Sequence, residues 1–426
     1  MSNKINVLVF PAGEINSIEL HESLSTCVNI NLFGASSIDR HGEYIFKNYI
    51  SGVPLIDSPN FIDQFNELIE NNRIDIIFPT HDTVALFLSK NLNKIKAKVI
   101  VADAKTAAIC RDKKKTYEHF EGYDFIPKIY SVIEKYPVFI KPRVGQGGKG
   151  AKLIKSKDDL QSNMNLKNYV ICEYLPGEEY TVDCLTDKNG KLIFVSPRSR
   201  KRLLAGVTVA GSTEELTPEI QSIANSINNK MSFLGLWWFQ IKKDVKGKWK
   251  LLEVSTRVAG TMCLTRARGV NLPLLSVYIV MGYEVEAIPN NYQVHVDRTL
   301  ISRYKINYDY ETVYIDFDDT LVINDEVNLN VIRFLYQCFN KKKNIILVSK
   351  HNNEDILDTL EKYNIPNKLF YKIIHLSDED KKSDFIDSTN AIFIDNSYKE
   401  RKEIHGKYNI PVFDVDGIEV LLDWRN

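Results

Sequence analysis

Two regions of this chain alternate short apolar runs with helical stretches, and that alternation limits the fold more than any other feature. In the first hundred residues, "INVLVF" (5–10), "DIIFPT" (75–80) and "KVIVAD" (98–103) run into Pro, Gly, Asp or Thr, with periodic segments such as "NFIDQFNELIENN" between them. Strands buried on both faces and joined by helices predict a parallel sheet with helices on both sides. The pattern resumes at 312 and continues to the end. Between the two, from about 105 to 300, strands follow one another through hairpin turns such as "DKNGK" and "DVKGK", interrupted by helices at about 218–232 and 271–281. This is α+β organisation around antiparallel sheets. The expected fold class is therefore multidomain α/β and α+β, divided at 1–104, 105–307 and 308–426. A single core does not extend over 426 residues, so a division is expected on length alone.

The 55 basic and 55 acidic side chains balance, which argues against a nucleic-acid or anionic-membrane partner. Six scattered cysteines form no CxxC pair and are expected to be reduced thiols. "LPLLSVYIVMG" (272–282) is about half the ~20 apolar residues that a membrane span needs, and reads as a core helix. These features predict a cytoplasmic protein, and an oligomer is compatible with them.

In open parallel sheets, ligands sit at the carboxyl ends of strands. "PAGEIN" and "PTHDT" occupy such ends, so His81 and Asp82 either face a cleft or cap the next helix. "VFIKPRVGQGGKGAKLI" carries four glycines between Gly145 and Gly150, including Gly147 and Gly148, after Lys141 at a strand end. Glycines let backbone N–H groups approach phosphate oxygens while a lysine neutralises charge. A flexible hairpin with a solvated lysine would also satisfy this stretch alone. "PRSRKRLLAGVTVAG" adds Arg198, Arg200, Lys201 and Arg202, and "TRVAGTMCLTRARG" adds Arg266 and Arg268. Such basic runs are most often solvated faces.

The order and spacing of these segments over about residues 1–300 resemble the ATP-grasp superfamily, whose members activate carboxylates as acyl phosphates. The resemblance implies an ATP-grasp fold after an N-terminal α/β domain, with ATP and Mg²⁺ as cofactors. It implies Lys113 and Lys141 as nucleotide-binding lysines, with Gly147 and Gly148 over the phosphates. "ICEYLPGEEYTVD" resembles the hinge, where Glu173, Tyr174 and Leu175 would border the adenine and Glu179 would reach the ribose. "WWFQIKKD" and "LLEVSTRVAG" resemble the metal strands, with Gln240 and Glu253 as ligands and Arg257 facing the transferred phosphate. Ser255 stands where the family usually has Asn. Arg198 and Arg200 would hold an anionic substrate or the acyl phosphate; an arginine fork suits that two-point contact.

"VYIDFDDTLV" (313–322) ends an apolar run in acids whose repulsion a cation would relieve. Asp316 and Asp318 lie two apart and so on one side of the chain. Further on, "NIILVSKH" ends in Ser349, "DEDKKSDFI" supplies Lys381 and Lys382, and "NAIFIDNSYKER" ends in Asp395. Together the four segments resemble the motifs of the haloacid dehalogenase (HAD) superfamily across 311–426, implying a HAD-like Rossmannoid α/β domain. Asp316 would be the nucleophile and Asp318 the general acid/base. Thr320 and Ser349 would bind phosphate, Lys382 or Lys381 would neutralise it, and Asp316, Asp318 and Asp395 would surround Mg²⁺. Asn396 departs from a frequent second acid, so either Glu400 would substitute or the metal would be held more weakly. No large cap fits between Thr320 and Ser349.

The combined expectation is a bifunctional enzyme. One part would be an ADP-forming ligase of a small-molecule carboxylate and an amine, the other a phosphatase acting on a phosphorylated metabolite. The alternatives are a non-catalytic regulatory C-terminal domain, and a nucleic-acid end-processing enzyme, which the neutral charge disfavours.

Overall fold

The computed structural model describes residues 4–145, 147–160, 165–204, 206–351 and 355–425. The chain divides into two compact units, Met1–Ile301 and Ser302–Arg425. The boundary precedes the expected 308 because the intervening residues pack on the second unit: Arg303 stacks on Trp424, and the Tyr308 hydroxyl donates to the Ala391 carbonyl.

In the first unit, strands β1 (Ile5–Phe10), β2 (Ile30–Ala35), β3 (Asn48–Ile50), β4 (Ile76–Pro79) and β5 (Lys98–Val99) form a parallel sheet. Strand periodicity divides β1 between two cores. Val7 and Val9 join Leu20 and Leu24 of helix Ile15–Leu24, whereas Leu8 and Phe10 join Phe61 and Phe65 of helix Phe61–Asn71. The sheet order is β3-β2-β1-β4-β5, so the winding reverses between β1 and β4, where such sheets open a ligand crevice. "KVIVAD" forms only a two-residue strand. Its remainder leads into helix Ala104–Arg111, capped by Asp103, which accepts from the Thr106 N–H at 2.7 Å.

The chain continues through β6 (Ile129–Tyr130), β7 (Val138–Pro142), β8 (Lys152–Ile154) and β9 (Tyr169–Glu173), an antiparallel sheet ordered β6-β9-β7-β8. Next come β10 (Glu179–Thr186), β11 (Leu192–Ser199), β12 (Arg202–Leu204), β13 (Val207–Ser212), β14 (Gly235–Lys243), β15 (Trp249–Ser255) and β16 (His295–Asp297). They make an antiparallel sheet β11-β10-β14-β15 and a smaller one, β12-β13-β16. Both long hairpins turn by the same device. Asp187 accepts from the N–H groups of Asn189 and Lys191, and Asp244 from those of Lys246 and Lys248, with Gly190 and Gly247 at positive φ. The apolar 272–282 stretch forms helix Leu272–Val280 in the core, and no helix among the described residues is long and apolar enough to cross a membrane.

The second unit holds β17 (Thr312–Ile315), a small hairpin of β18 (Val322–Ile323) and β19 (Glu326–Val327), β20 (Asn344–Ser349), β21 (Lys372–His375), β22 (Ala391–Ile394) and β23 (Val412–Phe413). A parallel sheet is ordered β21-β20-β17-β22-β23. Val313 and Ile315 pack with Val331, Phe334 and Leu335 of helix Leu329–Asn340, and Tyr314 packs on the other face with Ile404.

Candidate active sites

Lys141 ends β7 almost fully buried, and its ammonium donates to the Tyr117 hydroxyl at 2.5 Å and to the Leu252 carbonyl at 3.1 Å. That carbonyl is free for a reason. The β14–β15 register passes from Gln240↔Glu253 to Ile241↔Leu251, so Leu252 is skipped, as in a bulge beside a site. Burial pushes the Tyr117 phenol well above its usual range, which keeps it a protonated donor to Leu252 at 2.9 Å. Burial also draws the Lys141 ammonium downward. Lys113 opens helix Lys113–His119; the cap, Asp112, accepts from the Lys114 N–H and pairs with Arg143 beside the glycine-rich loop. The Lys113 ammonium lies 3.2 Å from Glu253. Burial raises the Glu253 pKa, but the charge and hydrogen bond of Lys113 together with the charge of Lys141 outweigh it, and the carboxyl titrates below its usual value.

Cross-strand register assembles the rest. Residues directly opposite in paired strands share a face. Arg198, Thr181, Gln240 and Glu253 form one row across β11, β10, β14 and β15, and Ser196, Asp183, Trp238 and Ser255 form the next. Gln240 and Glu253 thus present two hard oxygen donors side by side, the chemistry Mg²⁺ favours when phosphates complete its shell. Glu179 forms an ion pair with Arg200 at 2.7 Å and accepts from Lys242 at 3.2 Å. Arg198 is 1 % exposed and fully engaged: Nε and Nη2 grip Asp183 at 2.9 and 3.0 Å, and Nη1 donates to Thr261.

The crevice loops meet this face. His81 caps helix Asp82–Lys90, its Nδ1 accepting from the Thr83 N–H at 3.2 Å, while Asp82 turns toward the face. Asp82 takes both Nε and Nη2 of Arg257 at 2.9 and 3.0 Å and the Ser255 hydroxyl at 3.0 Å. Burial raises its pKa, yet Arg257 holds it below the ordinary aspartate value. Arg111 bridges the Thr83 hydroxyl and the Gly145 carbonyl. A cavity of about 190 Å³ lies over the face, reaching from Glu14 and Asn16 to Arg200, Gln240, Glu253 and Arg257. Gly147 reaches its rim against Gly206 so closely that a Cβ on Gly206 would overlap the Gly147 carbonyl. Gly206 also has φ +77°, so glycine is required there twice over.

In the second unit Asp316 follows β17, and its N–H donates to the Ile394 carbonyl. The Lys382 ammonium sits 2.7 Å from both Asp316 and Asp395, with all three side chains buried. Burial raises both acids' pKa, with Lys382 opposing; Asp395 is pushed up to about 6. Lys381, the other lysine of the pair, is exposed. The Phe317 carbonyl accepts the N–H groups of Thr320, Leu321 and Val322, a turn with Asp319 at φ +50° that buries Thr320 completely. The Thr320 hydroxyl accepts from the Asn396 N–H at 3.1 Å. Ser349, also buried, ends the neighbouring β20. Asp318 is half exposed and faces His351, whose Nδ1 is 2.9 Å from its carboxylate. Glu400 pairs with Lys350 at 3.4 Å. Between Thr320 and Ser349 the chain forms only the β18–β19 hairpin, helix Leu329–Asn340 and β20.

Residues 165–300 match the family described as "ATP-grasp in the biosynthetic pathway with Ter operon". Over 278 residues the chain is 23% identical to carbamoyl-phosphate synthase of Methanobrevibacter smithii, covering 58% of this chain and 75% of that protein. Its structure is similar to the biotin carboxylase domain of Hydrogenobacter thermophilus 2-oxoglutarate carboxylase, solved with MgADP and bicarbonate. That similarity has TM-score 0.56 and 18% identity, over 69% of this chain and 74% of the other. It is also similar to N5-carboxyaminoimidazole synthetase of Staphylococcus aureus complexed with ADP, at TM-score 0.55 and 15% identity, over 68% and 80%. The first unit has the ATP-grasp fold.

Within the ATP-grasp unit, Lys113, Gln240, Glu253 and Arg257 gather with Gly147 and Arg200 around one cavity system. Glu173 lies apart from the cavity lining, accepting from the Lys128 N–H at 2.8 Å, with Leu175 buried and Tyr174 between them. Sequence reasoning missed Tyr117, Arg111, Thr181, Thr208 and Trp238. One signal was available: Glu179, Thr181 and Asp183 are polar residues at every second position of an otherwise apolar strand, which marks a face with polar company.

Proposed function

We propose that the first unit is an ATP-dependent carboxylate–amine ligase that forms ADP through an acyl phosphate. The observation that carries this reading is Glu253 beside Gln240 and Lys113, on the same wall as Arg257, below a glycine-rich loop. A carboxylate oxygen attacks the γ-phosphorus and ADP leaves. The amine nitrogen then attacks the acyl carbon, phosphate departs, and the nitrogen loses a proton. Lys141 and Lys113 supply fixed positive charge for the transferring phosphoryl group. Arg257, held by Asp82, orients the acyl phosphate, and Arg200 holds the anionic substrate. Arg198, committed to Asp183, shapes the wall. Glu253 and Gln240 would hold Mg²⁺, which would offset the charge of the nucleotide phosphates. Glu173, Tyr174 and Leu175 would border adenine, and Glu179 the ribose.

For the second unit we propose a Mg²⁺-dependent phosphomonoester hydrolase of the HAD kind, acting on a phosphorylated metabolite. Lys382 between Asp316 and Asp395 supports it, since a buried lysine joining two strand-end acids is suited to hold a phosphoryl dianion against a nucleophile. Asp316 attacks phosphorus as Asp318 protonates the leaving alcohol. Asp318 then takes a proton from the water that attacks the aspartyl phosphate, phosphate leaves and the Asp316 carboxylate is restored. Thr320 and Ser349 hold the phosphoryl oxygens. Asp395 with Asp316 and Asp318 would receive the metal.

The test is ADP release by the whole protein across acid–amine pairs, which is expected to require an acid, an amine and Mg²⁺ together. With the best pair, Asp82→Asn is expected to lower kcat/KM by about tenfold to a hundredfold, because it removes one half of a partly buried ion pair. ADP release that needs neither acid nor amine would contradict the ligase reading. An unchanged rate in Asp82→Asn would mean that Arg257 is positioned without it.

A further inference from the structure

The two lysines of the first unit hold their charge in different ways. Lys113 is paired with the Glu253 carboxylate, 3.2 Å away. Lys141 is 6 % exposed, and its partners among the described residues are two neutral oxygens, the Tyr117 hydroxyl at 2.5 Å and the Leu252 carbonyl at 3.1 Å. Glu253 and Glu179 lie near enough for their charge to act on its ammonium. A buried charge is ordinarily matched by an opposite one, because its desolvation is costly. Something must hold this ammonium away from the carboxylates.

Tyr117 does so by its place. It stands one helical turn after Lys113 in helix Lys113–His119, so both side chains leave one face of that helix and meet β15 at the neighbouring residues Leu252 and Glu253. The phenol gives its one proton to the Leu252 carbonyl at 2.9 Å, which leaves its lone pairs for the ammonium. Lys141, Tyr117 and the Leu252 carbonyl thus close a triangle with sides of 2.5, 2.9 and 3.1 Å. The carbonyl is free to join it because the β14–β15 register skips Leu252. The ring adds to the hold, its centre 5.0 Å from the ammonium. A lysine bound to one carbonyl can pivot about it, and a second partner arrests the pivot. An ammonium has three N–H groups, of which the triangle takes two. The third is left over.

We infer that Tyr117 is a positioning residue of the nucleotide site: its hydroxyl docks Lys141 on neutral oxygens, so that the lysine's charge and its third N–H stay available to a nucleotide phosphate. This rests on the reading of Lys141 as a nucleotide-binding lysine and adds a residue to it. Without the hydroxyl, the ammonium turns toward the nearby carboxylates and its charge is neutralised before the nucleotide arrives.

Calorimetric binding of the β,γ-imido analogue of ATP to the whole protein, with Mg²⁺, tests the inference without turnover. Tyr117→Phe keeps the ring and loses only the hydroxyl. It is expected to weaken the analogue by about tenfold, the scale of one hydrogen bond to a charged group. Adenosine has no phosphate for Lys141 to meet, so it should bind Tyr117→Phe and the parent alike, as measured by competition with the analogue. In a Lys141→Met background the same change should cost less than about twofold, because residues that act through one contact are not additive. Tyr117→Leu, which removes the ring as well, should bind the analogue no more weakly than Lys141→Met. Parental affinity in Tyr117→Phe overturns the inference. Equal losses in the two backgrounds, or equal losses for adenosine and the analogue, also overturn it, since Tyr117 would then act on the fold and not through Lys141. A Tyr117→Phe protein with no thermal unfolding transition has the same meaning. Failure of the parent protein to bind the analogue removes the nucleotide reading, and this inference with it.

Discussion

Asp316→Asn is expected to lower phosphomonoester hydrolysis by about 10⁴-fold or more, since an amide cannot attack phosphorus as a carboxylate does. The substitution nearly conserves volume. It also keeps an oxygen that Lys382, 2.7 Å from Asp316, can still bind, so the unit should stay folded. Steady-state release of phosphate from p-nitrophenyl phosphate measures it. Asp318→Asn should act differently, slowing a poor alkyl leaving group far more than p-nitrophenolate, which departs without a proton. Ligation should survive both changes, because Asp316 belongs to the Ser302–Arg425 unit and the ligase residues to Met1–Ile301. Parental hydrolysis by Asp316→Asn would leave the aspartyl-phosphate mechanism without support. It would favour a regulatory role for this unit, which Asn396 in place of a frequent second acid already suggests.

The other large effect is expected at Lys141. Lys141→Ala should reduce ADP-forming ligation by about 10³-fold, the scale set by losing a preorganised charge at a developing anion. The change removes a buried cation, but Tyr117 keeps its own bond to the Leu252 carbonyl at 2.9 Å, so no carbonyl is orphaned. Lys141→Met, which keeps more of the packing, should be equally inactive. Phosphatase turnover is the internal control. Loss of both activities in a folded Lys141 variant would contradict the independence of the two sites.

How much of this was legible depended on how far apart in sequence the interacting groups lie. Glu253 and Ser255 were readable as sharing a face because strand periodicity fixes it, Gln240 was named only through the resemblance, and the β14–β15 hairpin sets Gln240 opposite Glu253. Lys382 was readable only as one of two adjacent lysines; burial between Asp316 and Asp395 separates it from exposed Lys381. Arg198 and Arg200 looked equivalent, two apart on one strand face. What separates them is the acid across the strand: buried Asp183 engages Arg198 fully, whereas Glu179 pairs with Arg200 at the cavity edge. The Asp82–Arg257 pair joins residues 175 positions apart, and no local pattern announces it. For the same reason His81 and Asp82 could not be divided between capping and cleft until the β1–β4 crevice met β15. The Leu252 bulge and the cavity positions of Thr181, Thr208 and Trp238 follow from packing, and in sequence they are ordinary strand residues.

Carboxylate activation is the central claim, and positional isotope transfer tests it most directly. With the substrate carboxylate labelled with ¹⁸O, one labelled oxygen should appear in the inorganic phosphate released with ADP, because that oxygen forms the bond to the γ-phosphorus and stays on phosphorus when the amine displaces it. Label found in AMP, with pyrophosphate as the co-product, or unlabelled phosphate at full product yield, would contradict the acyl-phosphate account.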